Sequence, residues 1–115
     1  MKIRRAVGID LGTTNSAAAM MAPQGNDVWL LEDRFKRRTI PSIVGIEPDG
    51  DGFITGWEAW NRRVMEPAPI SSIKRKMGTQ QTVELGPHEL LPEEVSGKIL
   101  ERLRDEMLTY LSSRP

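Results

Sequence analysis

Ten residues constrain this chain more than any others: Val7-Gly8-Ile9-Asp10-Leu11-Gly12-Thr13-Thr14-Asn15-Ser16. Val7 and Ile9 alternate with small residues, as a short strand does. Gly12 then supplies a turn position where φ is unrestricted and the backbone can approach a ligand closely. Thr13, Thr14 and Asn15 bring hydroxyl, amide and N–H groups to that turn, and Ser16 opens a second strand. Successive backbone N–H groups in a tight turn make a concavity suited to an anion, and short polar side chains complete it without blocking it. Asp10 stands at the strand end beside the concavity. A hydrated Mg²⁺ is usually held by one or two carboxylates plus phosphate oxygens, which a carboxylate in this place can provide. Two readings stay open on the local pattern: a phosphate cradle with a metal-facing carboxylate, and a Gly-centred hairpin that binds nothing.

Around that stretch the pattern predicts strands over residues 3–10, 16–22 and 28–32, an antiparallel three-strand meander with a turn at Pro23-Gln24-Gly25-Asn26. The alanines at 17–19 favour helix by propensity; a strand is preferred because it keeps the polar turn between Asp10 and Ser16. Pro41 pushes Ile40 towards extended backbone, so a strand over 42–47, a turn at 48–52 and a short strand over 53–55 form a hairpin. The two aspartates of that turn lack the spacing of a calcium loop. Trp57, Trp60 and Val64 lie at i, i+3 and i+7, which predicts a helix over 56–65 with the tryptophans in the core; a base-stacking platform is the other use of such residues. Residues 70–78 read as a short helix or turn, 81–85 as a strand and Gly86-Pro87-His88 as a turn. The clearest helix begins at Pro92, a residue suited to the first helical position, with Glu93 and Glu94 placed favourably in the first turn. Val95, Ile99, Leu103, Met107 and Leu111 form its apolar stripe, thickened by Leu100 and Leu108. Glu94 with Lys98, and Arg102 with Glu106, are i,i+4 opposite-charge pairs.

Composition narrows the function classes. Among 115 residues, sixteen Lys and Arg balance sixteen Asp and Glu, so no global field recruits nucleic acid or an anionic membrane. Cysteine is absent, which excludes disulfides and thiolate metal sites and suits a cytoplasmic location. His88 is the sole histidine and has no partner motif for a zinc site or a nucleophile–base pair. The basic start Met1-Lys2-Ile3-Arg4-Arg5 lacks the apolar run of a signal peptide, and the apolar run 17–22 is too short to span a bilayer. Arg34-Phe35-Lys36-Arg37-Arg38 is the one dense basic run, read either as a solvated loop or as an anion or partner contact.

Gly8-Ile9-Asp10-Leu11-Gly12-Thr13-Thr14-Asn15-Ser16 resembles the first phosphate motif of the actin, sugar-kinase and heat-shock chaperone ATPase superfamily. Two later blocks point to the DnaK-type, seventy-kilodalton heat-shock branch. Arg38-Thr39-Ile40-Pro41-Ser42-Ile43-Val44 is similar to its Arg-Thr-x-Pro-Ser segment, and Ile73-Lys74-Arg75-Lys76-Met77-Gly78 to its Lys-Arg segment. A sugar kinase is not expected to carry either. The resemblance implies a mixed α/β chain, part of a ribonuclease-H-like, actin-type ATPase fold: a core sheet with the phosphate loop over 1–37, a trimmed small lobe over 38–91, and a long amphipathic helix over 92–112. It implies ATP or ADP with Mg²⁺ as ligands, with Gly12, Thr13, Thr14 and Asn15 on the phosphates, Asp10 near the magnesium, and Lys74 on the terminal phosphate and attacking water.

The same resemblance implies a half-site, because the second phosphate motif, the adenosine motif and the peptide-binding region are not in this sequence. An intact parent is expected to hydrolyse ATP in driving protein folding under stress, with unfolded clients and co-chaperones as partners. The 115 residues alone are expected to be inactive. The stretch between Gly78 and Pro92 is shorter than the family pattern, which puts exchange-factor contacts there in doubt. Met107-Leu108 stands where that pattern has a small residue and an acid, and Ser112-Ser113-Arg114-Pro115 where it continues with glycine. The alternative is a non-catalytic module that uses Trp57, Trp60 and the apolar stripe of the last helix to associate with itself or a partner, an unpaired sheet edge and uncovered apolar surface inviting the pairing.

Overall fold

β2 (Asn15–Met21) is the strand on which the first sheet is built. Its buried residues are Ser16, Ala18 and Met20, alternating with outward-facing Ala17, Ala19 and Met21, so period-2 burial prevails over the helical propensity of alanine. In this computed structural model the described residues are 6–22, 27–48, 50 and 52–112, with the backbone alone at 74 and 75. The expectations for residues 3–5, the turn at 23–26, the aspartates Asp49 and Asp51, and the tail after 112 lie outside them.

β1 (Val7–Leu11) runs antiparallel to β2, with Val7 opposite Met20, Ile9 opposite Ala18 and Leu11 opposite Ser16. The other edge of β2 is shared: β3 (Val28–Leu30) pairs with its end and β4 (Ile40–Pro41) with its start. β3 stops at Leu30, short of the expected 32; Leu31 is buried and its N–H donates to the Ala18 carbonyl at 2.9 Å.

The strand expected over 42–47 forms over 43–46, preceded by a separate short strand, β4, in the other sheet. β4 ends at Pro41, Ser42 is a buried junction, and β5 (Ile43–Ile46) becomes the middle strand of a second sheet between β6 (Phe53–Thr55) and β7 (Ile70–Ser71). Flanked on both sides, β5 is buried at all four residues, which is why it reads as an uninterrupted apolar run. β8 (Val83–Leu85) and β9 (His88–Leu90) make a third, two-stranded sheet. β9 was not expected: His88 opens a strand, and Gly86-Pro87 alone make the turn.

The expected helix over 56–65 is only α1 (Trp57–Trp60). Beyond it the bonds from Arg62 N to Ala59 O and from Arg63 N to Trp60 O span three residues and tighten the chain into turns. Val64 is 88% exposed; with its apolar stripe unburied, packing does not sustain the longer helix. The tryptophans are not core either. Ala59 is the buried residue of α1, while Trp57 is half-buried and Trp60 exposed, with the guanidinium groups of Arg37 and Arg63 over their respective rings.

α2 (Pro92–Ser112) closes the core. Leu91 N donates to Glu94 Oε1 at 2.9 Å, the acidic half of a capping box. Val95, Ile99, Leu103 and Met107 are buried against Ala18, Met20, Val44 and Leu85, with Leu111 partly buried at the edge. Leu100 and Leu108 do not join this stripe; they face outward, 39% and 57% exposed. Of the two expected charge pairs, Arg102 Nε–Glu106 Oε1 forms at 2.9 Å. Glu94–Lys98 does not, because Glu94 is engaged by the cap and the Lys98 ammonium lies 4.8 Å from the centre of the Phe53 ring. Among the described residues, no helix is long and apolar enough to cross a membrane.

Candidate functional site

The turn between β1 and β2 holds Gly12, Thr13 and Thr14, with Asn15 opening β2. Glycine at position 12 is a steric requirement: a Cβ there would stand 2.2 Å from the Asn15 carbonyl oxygen, far inside contact distance. The Thr14 carbonyl accepts from Ser42 N at 2.8 Å, and Asn15 pairs with Pro41. Beneath them the hydroxyls of Ser16 and Ser42, both buried, lie 2.8 Å apart. The second quoted block, residues 38–44, is thereby stitched to the first, 8–16, along the floor of the turn.

The side chains of Asp10, Thr13, Thr14 and Asn15 make no hydrogen bond or ion pair among the described residues. Asp10, Thr14 and Asn15 are exposed; Gly12 and Thr13 are partly buried. The register places Asp10 opposite Ala17, on the outward face of the sheet. A cradle kept open by a glycine with no room for a Cβ, ringed by unpartnered hydroxyls, an amide and a hard carboxylate, fits a phosphate accompanied by a hard cation in its donor chemistry. Among the described residues no three His, Asp or Glu side chains gather into a metal-holding group, so a cation here would need oxygens from its anion or from water.

Lys74 lies in the 3-10 turn Ile73–Lys76, which packs on α2 through buried Ile73. Its side chain is outside the described residues. The structure therefore brings Asp10, Gly12, Thr13, Thr14 and Asn15 together as one contiguous group, with Lys74 on a separate element. Sequence reasoning missed Ser16 with Ser42 as the polar stitch below the turn. The available signal was two serines immediately following the turn and the proline. It also missed Ser72, which precedes the Lys74 turn with φ 58°, a left-handed conformation uncommon outside glycine, asparagine and aspartate.

The charged network lies elsewhere. Arg102 Nη1 donates to the Thr55 carbonyl at 2.8 Å, and its guanidinium pairs with Glu58 and Glu106, joining α2 to β6 and α1. Burial would raise the Glu58 pKa, but the Arg102 hydrogen bond and nearby charge outweigh it and hold the carboxyl below its ordinary value. The loop after β3 closes on Asp33. Its Oδ1 accepts from Phe35 N at 2.8 Å and Arg37 N at 3.0 Å, and its Oδ2 from Arg37 Nε at 2.7 Å.

A glycine turn between two strands is locked to a Thr-x-Pro-Ser segment, and comparison with known proteins defines the family. The family model for Hsp70 protein matches residues 6–86. The chain belongs to the Hsp70 family. It is 42% identical over 113 residues to the chaperone protein DnaK of Halobacterium salinarum, covering 96% of this chain and 17% of that protein. It is 40% identical over 106 residues to DnaK of Thermotoga petrophila, covering 91% and 17%. With DnaK of Ureaplasma urealyticum it shares 40% identity over 99 residues, covering 86% and 16%. The chain thus spans about a sixth of the length of these relatives.

Proposed function

We propose that this chain forms one jaw of an ATP clamp in a molecular chaperone ATPase of actin-type fold. The observation that carries this reading is the turn at Gly12, held open where no Cβ fits and tied to the 38–44 segment by Ser42. In this reading Gly12, Thr13, Thr14 and Asn15 bind the phosphates, Asp10 stands on the magnesium side, and Lys74 carries an ammonium to the terminal phosphate, where a compact cation offsets developing negative charge. Magnesium held on the Asp10 side would offset negative charge on the phosphates. The intact chaperone would be a cytoplasmic stress protein acting on unfolded clients with co-chaperones; the relatives' name, chaperone protein DnaK, supports the chaperone part of that extension.

Because the chain spans about a sixth of those relatives, the proposed site is a half-site. Titration of ¹⁵N-labelled chain with Mg-ATP should shift the amides of residues 12–15 with a dissociation constant of about a millimolar or weaker, a regime of ~4 kcal/mol, and without turnover. Submicromolar affinity abolished by Lys74→Ala would overturn the half-site reading. Shifts that avoid residues 12–15 would overturn the phosphate role.

One observation favours a second reading, self-association. Met21, Val28 and Leu30 lie on one face of the first sheet and are 49%, 57% and 44% exposed, and among the described residues β1 pairs on one edge only. Such surfaces invite pairing. Sedimentation should then show a concentration-dependent dimer, whereas a sharply melting monomer at high concentration counts against it.

A further inference from the structure

The thioether of Met77 accepts a hydrogen bond from a buried hydroxyl. Ser96 Oγ, in the second turn of α2, lies 3.1 Å from Met77 Sδ and is the donor. Ser96 is 3% exposed, and among the described residues the sulfur is the one partner of its hydroxyl. Two further contacts hold the same segment on the helix: Ile73 is buried in the core, and Gly78 N donates to Glu93 Oε1 at 3.3 Å. Met77 is nonetheless 40% exposed, so solvent reaches a side chain whose sulfur is tied on its inner side.

With six methionines and no cysteine, thioethers are the sulfur that a two-electron oxidant meets in this chain. Met20 and Met107 are buried, whereas Met21, Met65 and Met77 are exposed. Of those three, Met77 alone has a hydrogen-bonded sulfur among the described residues. A thioether sulfur carries two lone pairs, and oxidation uses one of them. The product sulfoxide is chiral at sulfur, so the lone pair that reacts decides which epimer forms. At Met77 the Ser96 hydroxyl occupies one lone pair from the buried side and leaves the other to the oxidant.

We infer that Met77 is a site of reversible oxidation by peroxide, at which Ser96 directs oxygen to one face of the sulfur and oxidation releases the 73–78 segment from α2. The step balances. A sulfur lone pair attacks one oxygen of hydrogen peroxide, the S–O bond forms as the O–O bond breaks, and the proton on the transferred oxygen leaves with the departing hydroxide as water. The sulfur gives up two electrons and the peroxide takes them. A sulfoxide sulfur carries partial positive charge and no longer accepts from Ser96, which leaves a buried hydroxyl unpaired and disfavours the docked arrangement. Sulfoxide reductases are each specific for one epimer, so a single one of them suffices to restore the site. The inference stands apart from the nucleotide reading, and its consequence falls on the turn that carries Lys74.

Trypsin supplies the assay, because cleavage after Lys76 and Lys98 leaves Met77 as the sole methionine of residues 77–98, and cleavage after Arg63 and Lys74 leaves Met65 alone in 64–74. The full chain is oxidised with hydrogen peroxide, quenched with catalase and digested. Each peptide is then divided between a reductase specific for the S-sulfoxide and one specific for the R-sulfoxide. In the folded chain one epimer should exceed the other at Met77 by about fivefold, the factor by which breaking one hydrogen bond slows the disfavoured path. Met65, and Met77 itself when the chain is oxidised in denaturing urea, should give ratios within about twofold of unity. Ser96→Ala, with its circular dichroism unchanged, should bring Met77 into that same range. Oxidation should also speed hydrogen exchange at the Gly78 amide by about tenfold; one reductase should reverse this, and Met77→Leu should show no change with peroxide. Equal epimers at Met77 in the folded chain, an excess that persists in Ser96→Ala, or no sulfoxide at Met77 when Met65 is oxidised would each overturn the directed oxidation. Exchange at Gly78 that oxidation leaves unchanged would overturn the release of the segment.

Discussion

Replacing Ser42 with alanine should destabilise this chain by about 1–3 kcal/mol, and adding Ser16→Ala to it should recover most of the loss. Ser16 and Ser42 are 1% and 3% exposed, and their hydroxyls lie 2.8 Å apart. Among the described residues no buried side-chain nitrogen or oxygen lacks a partner. A typical intramolecular hydrogen bond adds only about 1 kcal/mol net, because water would have satisfied both groups in the unfolded chain. Removing one hydroxyl is worse than that figure suggests. It strands the other where water cannot reach, at the desolvation penalty of about 1–3 kcal/mol for an unpaired polar group. Removing both leaves two small apolar side chains, a change that can be close to neutral. The junction backbone is indifferent to the substitutions, since the bond from Ser42 N to the Thr14 carbonyl is a main-chain one. With an m value of roughly 1–3 kcal/mol/M in urea, each single variant should lower the unfolding midpoint by about 1 M. The assay is urea unfolding of the four proteins of the cycle, followed by tryptophan fluorescence and far-ultraviolet circular dichroism. Single effects that add in the double variant to within about 0.5 kcal/mol would refute the reasoning, because the two hydroxyls would then not be satisfying each other.

Three further outcomes follow from the packing. Gly12→Ala drives a methyl group to within 2.2 Å of the Asn15 carbonyl, so it should destabilise by about 1–3 kcal/mol and abolish the Mg-ATP-dependent amide shifts of residues 12–15; retained shifts would show that the turn tolerates a side chain. Leu103→Ala, at a residue 1% exposed in the centre of the helix stripe, should lower stability by about 2.7–5 kcal/mol. Leu108→Ala, at 57% exposure, should stay within about 0.5 kcal/mol, and calorimetric melting separates the two. At Asp33, burial would raise the pKa, but the bonds donated by the Arg37 amide, the Arg37 guanidinium and the Phe35 amide together hold it below its ordinary 3.8. The unfolded chain therefore binds the proton first as pH falls. The stabilisation is complete well above about 3.8 and is lost as pH drops through the lower folded value, so Asp33→Asn should flatten the acid side of the stability profile.

What was legible in the sequence followed from local chemistry. The polar turn after Asp10, the strand entered through Ile40 and Pro41, and α2 with its buried stripe at Val95, Ile99, Leu103 and Met107 each carry a pattern that one element suffices to explain. The failures share another cause: they depend on what another element covers. Leu100 and Leu108 look as apolar as Leu103, yet the sheets meet only one side of α2. Trp57 and Trp60 have helical spacing, yet a neighbouring arginine meets each ring and the helix ends after one turn. Glu94 and Lys98 have the spacing of an ion pair, and each finds another partner through the cap and through Phe53. The switch between sheets at Ser42 was hidden for the same reason, because Ile43 to Ile46 reads as a continuation of Ile40 until β6 and β7 are placed on either side of it. The candidate site divides along this line too: Asp10, Gly12, Thr13, Thr14 and Asn15 are contiguous and were found together, whereas the stitch from Ser16 to Ser42 spans 26 residues.

The orientation of Asp10 links the two readings of this chain. Val7, Ile9 and Leu11 stand opposite Met20, Ala18 and Ser16, whose side chains are buried, so the alternate residues Gly8 and Asp10 look out from the other face with Ala17 and Ala19. That is also the face on which Met21, Val28 and Leu30 are exposed. A structure that covers this apolar surface must therefore approach from the side on which Asp10 would meet a magnesium ion. The small residues Gly8, Ala17 and Ala19 between them let a covering element pack close to the sheet. The proposed nucleotide binding and the coverage of the sheet would then be coupled by position. A partner seated on Met21, Val28 and Leu30 either brings the contacts that a half-site lacks and tightens Mg-ATP, or occludes Asp10 and weakens it. A self-associated chain whose Mg-ATP affinity is the same as that of the monomer would separate the two surfaces and remove the reason for treating them as one jaw.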